Sequence, residues 1–191
     1  MMISPEATQL RCAVSNTGPM LSAFQSEQTG LLRALYDRIY IPDSTLSEYE
    51  KHGASTLIKE FIDSGFVVVF HLTESEKETA RRLSEEIANH PSTKDKQPQN
   101  HYPEAEAMVL VSRSELSKFD ILLDEQAARE VARKHGLSII GFAGLLIRAC
   151  QAGHITPEEV RDTMFTCQSL GTHYATNFIE GIYNRLKEAA T

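Results

Sequence analysis

Residues 121–155 read ILLDEQAAREVARKHGLSIIGFAGLLIRACQAGHI. Residues 119–123, apolar but for Asp120, have the length of a strand and stop at Asp124-Glu125. Ala127, Ala128, Val131 and Ala132 then recur at helical spacing, residues 137–140 form another short strand, and residues 142–149 make an apolar helix. Apolar strands separated by helices predict a parallel sheet covered on both faces. Ligand sites in such sheets lie beyond the strand C-termini, which makes the polar pair Asp124-Glu125 a candidate functional edge.

Towards the N-terminus, residues 11–15 read as a buried strand ended by the turn Asn16-Thr17-Gly18-Pro19, with a helix from Met20 onward. Leu31, Leu32 and Leu35 form a helical stripe, and residues 38–41 a second strand ended by Pro42. Two short helices broken near Gly53 follow, and Phe66-Val67-Val68-Val69-Phe70 predicts a fully buried strand. Thr73-Glu74-Ser75-Glu76 has capping-box spacing for a helix whose apolar face is Ala80, Leu83 and Ile87. Residues 89–102 are polar and aperiodic, hence a loop, after which Pro103 suits a first helical position and Ala105, Met108, Val109, Ser112 and Leu116 recur at helical spacing. Thr156-Pro157-Glu158-Glu159 opens a further helix, and Phe178, Ile179, Ile182 and Leu186 mark the last. The fold class expected is α/β: a three-layer α/β/α arrangement around a central, mainly parallel sheet. Residues 1–191 are read as one domain, with 156–191 a C-terminal helical extension.

Composition narrows the function. The 191 residues carry 19 Lys plus Arg against 26 Asp plus Glu, a net charge of −7, which argues against a broadly basic nucleic-acid binder but not against a local basic strip. The first fifteen residues show no basic region followed by an apolar one, so no secretory leader is expected. The longest nearly apolar stretch, residues 136–147, falls well short of the ~18–20 residues of a membrane helix. Cys12, Cys150 and Cys167 form no C-x-x-C pair and suit a reducing, cytoplasmic setting. There is no H-E-x-x-H, G-x-S-x-G, G-x-x-x-x-G-K-[ST] or G-x-G-x-x-G motif, which leaves carboxylates to carry any chemistry.

Oxygen atoms for that edge could come from Asn16, Glu48, the pair Glu104 and Glu106, and the pair Asp124 and Glu125, a donor type preferred by Mg²⁺ or Mn²⁺. Four segments, AVSNTGPML from Ala13, IPDSTLSEYE from Ile41, PEAEAMVL from Pro103 and the stretch from Ile121 quoted above, resemble the PIN domain family of metal-dependent ribonucleases, in particular PIN-like proteins related to VapC-type toxins. Carried over by position, the resemblance implies Asn16, Glu48, Glu104 and Asp124 as metal-binding positions, with Glu48, Glu104 and Asp124 the catalytic acids. Thr17, Glu106 and Glu125 stand behind them, because the choices between Glu104 and Glu106 and between Asp124 and Glu125 remain open. Glu104 and Glu106 lie about 200° apart around a helix, so they cannot both point straight into one site. Asn16 departs from the family's acidic residue, and a neutral ligand there weakens metal affinity. The implied reaction is hydrolysis of single-stranded RNA, with Arg129 and Arg133, four residues apart on one helix face, contacting phosphates. The implied partners are RNA and an antitoxin protein, and the two C-terminal amphipathic helices offer a surface for such a partner or for a second copy of the chain.

Each residue also has a plainer reading. Asp124 suits the cap of the helix that follows it, Glu104 suits the first turn of its helix, Arg129 suits an ion pair with Glu125, and Asn16 suits a turn. The alternative function is therefore a catalytically degenerate PIN-like module that binds RNA or protein. A phosphotransferase of the haloacid-dehalogenase kind would need an aspartate nucleophile where Asn16 stands.

Overall fold

The computed structural model describes residues 10–189; residues 1–9, on which most of the leader reading rests, lie outside the described residues. Strands β1 (Cys12–Ser15), β2 (Arg38–Pro42), β3 (Val67–Phe70), β4 (Asp120–Leu122) and β5 (Ile139–Ile140) form one sheet in the order β3-β2-β1-β4-β5. Every pairing is parallel. The helices are α1 (Thr17–Gln25), α2 (Thr29–Leu35), α3 (Leu46–Lys51), α4 (Ser55–Asp63), α5 (Glu74–Asn89), α6 (Tyr102–Val111), α7 (Gln126–Lys134), α8 (Phe142–Gln151), α9 (Pro157–Ser169) and α10 (Thr176–Ala189). Among the described residues no helix is long and apolar enough to cross a membrane.

Alternation along the strands builds the three layers. Ala13 and Leu122 face a core shared with α1 to α4 and α8 to α10, whereas Val14, Ile121 and Leu123 face a second core with α5, α6 and α7. From central β1 the chain winds to β2 and β3 on one side, then returns to β4 and β5 on the other. The order therefore reverses between β1 and β4, and a crevice opens beyond their C-terminal ends. Register places the two exits together: Ser15 pairs with Leu122, and the Asn16 N–H still donates to the Leu122 carbonyl at 3.2 Å.

Three local expectations change. Helix α1 begins at Thr17 with no intervening turn, because Gly18 and Pro19 fall in its first turn, where a missing N–H forfeits no intrahelical bond. Strand β3 is only partly buried, with Val68, Val69 and Phe70 half-exposed, since it forms an edge of the sheet. Helix α6 stops at Val111, which leaves Leu116 buried on the turns that lead into β4. Pro103 is the second residue of α6, and the segment before it is ordered around Asp95, whose carboxylate accepts from Gln97 N (2.9 Å) and Asn100 Nδ2 (2.8 Å). The capping boxes are present at Thr73 with Glu76 and at Thr156 with Glu159.

Candidate active site

Asn16 occupies the N-cap of α1, but its side chain makes no capping bond. Instead Nδ2 donates to Glu104 Oε1 at 3.1 Å, which joins the end of β1 to the first turn of α6. The acceptors left over, Asn16 Oδ1 and Glu104 Oε2, are both buried and without a hydrogen-bond partner. Such atoms are costly unless something supplies positive charge or a donor. Thr17, at the start of α1, donates through its hydroxyl to Glu48 Oε2 and so holds the α3 carboxylate against the same edge.

Asp124 leaves β4 beside this group. A Cβ added at Gly18 would lie 3.7 Å from Asp124 Oδ2 and 3.8 Å from Asn16 Oδ1, so the bare glycine keeps the space between the two side chains open. Asp124 Oδ1 accepts from the Phe142 N–H at 2.8 Å, which fixes the carboxylate against the N-terminus of α8. The Asp124 reading as cap of α7 is overturned: Glu125 is the N-cap, and its Oε2 accepts from Ala128 N at 2.6 Å. That duty removes Glu125 from the ion pair expected with Arg129, which holds no carboxylate within 4 Å among the described residues.

Glu106 turns elsewhere. It is 3% exposed and accepts from the Ser44 hydroxyl, so the two acids of α6 point to different neighbours, as their angular separation requires. Burial, reinforced by Asp43, lifts Glu106 to about 7.

Burial dominates the electrostatics of the other acids. Burial above all, then the charges of Glu48 and Glu125, raise Glu104 to about 7, against the pull of its own backbone N–H and His101. Asp124 is also held above its usual range by burial, and the Phe142 N–H and Arg129 oppose the rise. Carboxyls raised in this way fit a group that brings in positive charge. Among the described residues no three His, Cys, Asp or Glu side chains converge closely enough to hold a metal by themselves. Oxygen donors of this kind, an amide and carboxylates, suit a hard divalent cation.

A groove of about 760 Å³ runs outward from Asp124, between α7 and the chain that joins α9 to α10. Arg129 and Arg133 line it, so both expected phosphate contacts face one channel next to the acidic edge. Reading from sequence missed Gly141, the Phe142 N–H and the groove wall of His173, Tyr174 and Phe178. Gly141 carried a signal, since a glycine directly after a strand often marks a close approach. A Cβ there would come within 2.7 Å of Asp124 Oδ1 and 2.8 Å of Arg129 Nη1. His173 and Tyr174 carried none, because they lie on a connection remote in sequence from Asp124, and Phe178, read with Ile179, Ile182 and Leu186 as one apolar stripe, is instead exposed in the first turn of α10 while the other three are buried. A family model described as DUF3368: PIN domain matches residues 12–188. Among curated proteins, no relative matches.

Proposed function

The chain belongs to the PIN domain family, and from that premise we propose that it is a Mg²⁺- or Mn²⁺-dependent ribonuclease acting on single-stranded RNA in the cytoplasm. The family generally implies nuclease activity, with divalent metal ions and RNA binding. The observation that carries the finer reading is the pair of buried, unpartnered oxygens, Asn16 Oδ1 and Glu104 Oε2, beside the Asp124 carboxylate. Asn16, Glu104 and Asp124 are the residues to hold the ion, with Glu48 positioned by Thr17 to complete or orient its water shell. When bound, such an ion acidifies water and offsets charge on the scissile phosphate. The protein's own part is to keep Asp124 oriented through the Phe142 N–H and to present Arg129 and Arg133 to the phosphates that flank the cut. We assign the chain as the toxin of a toxin–antitoxin pair on its VapC-like segments, with the antitoxin covering this edge in the resting complex.

A second reading rests on a single contact. The neutral Asn16 amide itself donates to one oxygen of Glu104, and such a bond would hold together a degenerate site that only binds RNA or protein. Cleavage of a labelled single-stranded RNA with Mn²⁺, with and without EDTA, separates the two readings. The nuclease predicts Mn²⁺-dependent cleavage that disappears in Asp124→Asn and Glu104→Gln. Equal, chelator-insensitive background in all three proteins selects the degenerate module. Asn16→Asp then tests placement: a restored charge tightens Mn²⁺ binding if residue 16 faces the ion, and unchanged affinity rejects that position.

A further inference from the structure

The groove beside Asp124 has one wall that phosphate binding leaves unexplained. Phe178 is 46% exposed, in the first turn of α10, and among the described residues it shares that exposure with few large apolar side chains. Its ring lies 6.0 Å from that of Tyr174, tilted by 39°, and both line the groove with His173. The platform is braced from behind. Gln168 Nε2, near the end of α9, donates to the Tyr174 carbonyl at 2.6 Å, and the Phe178 N–H donates to the Ala175 carbonyl at 2.9 Å. The opposite wall carries Arg129 and Arg133 on α7.

Three acids line the channel, each held by a partner: Asp124 accepts from the Phe142 N–H at its inner end. Glu125 caps α7, and Glu130 accepts from Gln126 Nε2 at 2.9 Å and faces His90 Nε2 at 3.3 Å. Beside these fixed acids the groove offers an incoming chain two guanidinium groups on one side and aromatic faces on the other. That is the pairing by which proteins hold single-stranded nucleic acid: cations track the backbone while bases stack on rings. A duplex cannot use it, since its bases are stacked on one another.

We propose that Phe178, backed by Tyr174, is a stacking site for an unpaired nucleobase next to the scissile position, so that the loop and helix after α9 set the strand's path to the acidic edge. The proposal rests on the nuclease reading for its substrate class, RNA, but its test does not need cleavage. The chain contains no tryptophan, so Phe178→Trp places a single indole on the proposed platform. In EDTA, a single-stranded octauridylate should quench that indole, whereas an abasic oligomer of equal length and an RNA duplex should not. Fluorescein-labelled octauridylate should bind Phe178→Ala about 5- to 150-fold more weakly than wild type, the range expected for one base–aromatic stack. Phe178→Trp should restore the affinity, and the abasic oligomer should bind wild type and Phe178→Ala alike. Thermal melts that match wild type confirm that the variants fold.

Absence of quenching, or equal affinity of wild type and Phe178→Ala for octauridylate, overturns the proposal. So does a Phe178→Ala protein that changes only its sedimentation mass, because the face would then join two copies of the chain. Quenching without any Mn²⁺-dependent cleavage leaves the stacking site standing and removes the nuclease reading. Cleavage without quenching does the reverse.

Discussion

At the residue scale, two glycines decide whether the acidic edge can hold an ion, and they do so by different physics. A Cβ at Gly18 meets nothing closer than 3.7 Å, so Gly18→Ala fits and should stabilise α1 by up to about 1 kcal/mol from helix propensity. The added methyl nevertheless occupies the space between Asn16 and Asp124. Mn²⁺ affinity measured by titration calorimetry is expected to fall at least about tenfold, or ~1.4 kcal/mol, while the melting temperature holds or rises. Retained affinity would place the ion elsewhere. At Gly141 the added Cβ would sit 2.7 Å from Asp124 Oδ1 and 3.3 Å from the Leu123 carbonyl, so something must move. Gly141→Ala should break the Asp124 to Phe142 bond, cost about 1–3 kcal/mol in urea unfolding, and speed amide exchange at Phe142. Unchanged exchange would show that the carboxylate simply shifts. The effect at Gly18 was not legible in the sequence, where it reads as a turn residue, and the glycine after the last strand could signal a close approach but not that Asp124 is what it meets. As candidates, Asp124 and Glu125 stand out in the sequence because they end a strand and Glu104 because it opens a helix, whereas Glu48 and Glu106 carry neither mark. What could not be read was their division of labour, with Glu125 capping α7, Glu106 held by Ser44, and Asn16 bonded to Glu104.

At the element scale, periodicity and caps specified most of the secondary structure, because a capping box or an apolar stripe is a local property. The errors came where a neighbour decides the outcome. Val67 to Phe70 has the composition of a central strand yet lies at the sheet edge, and strand order cannot be read from a strand's own residues. Likewise the Thr73 capping box signals where α5 begins but not what else Glu76 binds. Its carboxylate also receives Arg113 Nε at 2.8 Å and Nη2 at 2.9 Å, which ties α5 to the end of α6. This fork, above all, pulls Glu76 down to about 2, with the Thr73 backbone and hydroxyl assisting against burial. A carboxyl lowered from 4.5 to about 2 contributes stability that is fully present above 4.5 and is lost as pH falls through 2. Glu76→Gln should therefore destabilise the protein by about 2 kcal/mol at pH 7, and the gap from wild type should narrow between pH 4.5 and 2. Denaturant melts across that range check it, and a gap that does not change with pH would mean that the lost capping geometry, not the charge, stabilises this junction.

At the scale of the whole molecule, the question is whether α9 and α10 are an appendage or part of the domain. The sequence reads them as an extension because they follow the last strand and begin at a capping motif of their own, Thr156 to Glu159. Their buried side chains, Val160, Met164, Ile179, Ile182 and Leu186, belong to the same core as Ala13, Met20 and Phe142, and the family match reaches residue 188. Burying each such side chain stabilises by about 1.5–3 kcal/mol, so these five together contribute roughly 10 kcal/mol. That equals much of the ~5–15 kcal/mol by which a typical domain is stable. We therefore expect a chain ending at residue 155 to lose cooperative folding, shown by a broad thermal transition and dye binding to exposed apolar surface. The full chain should unfold in one step followed identically by circular dichroism and by the fluorescence of Phe178→Trp. A truncated chain with a sharp transition would make the last two helices a separable module, and the groove a junction between parts. If the truncation fails as expected, the groove wall and the acidic edge belong to one cooperative unit. The aromatic platform would then be set by the same packing that places Asp124.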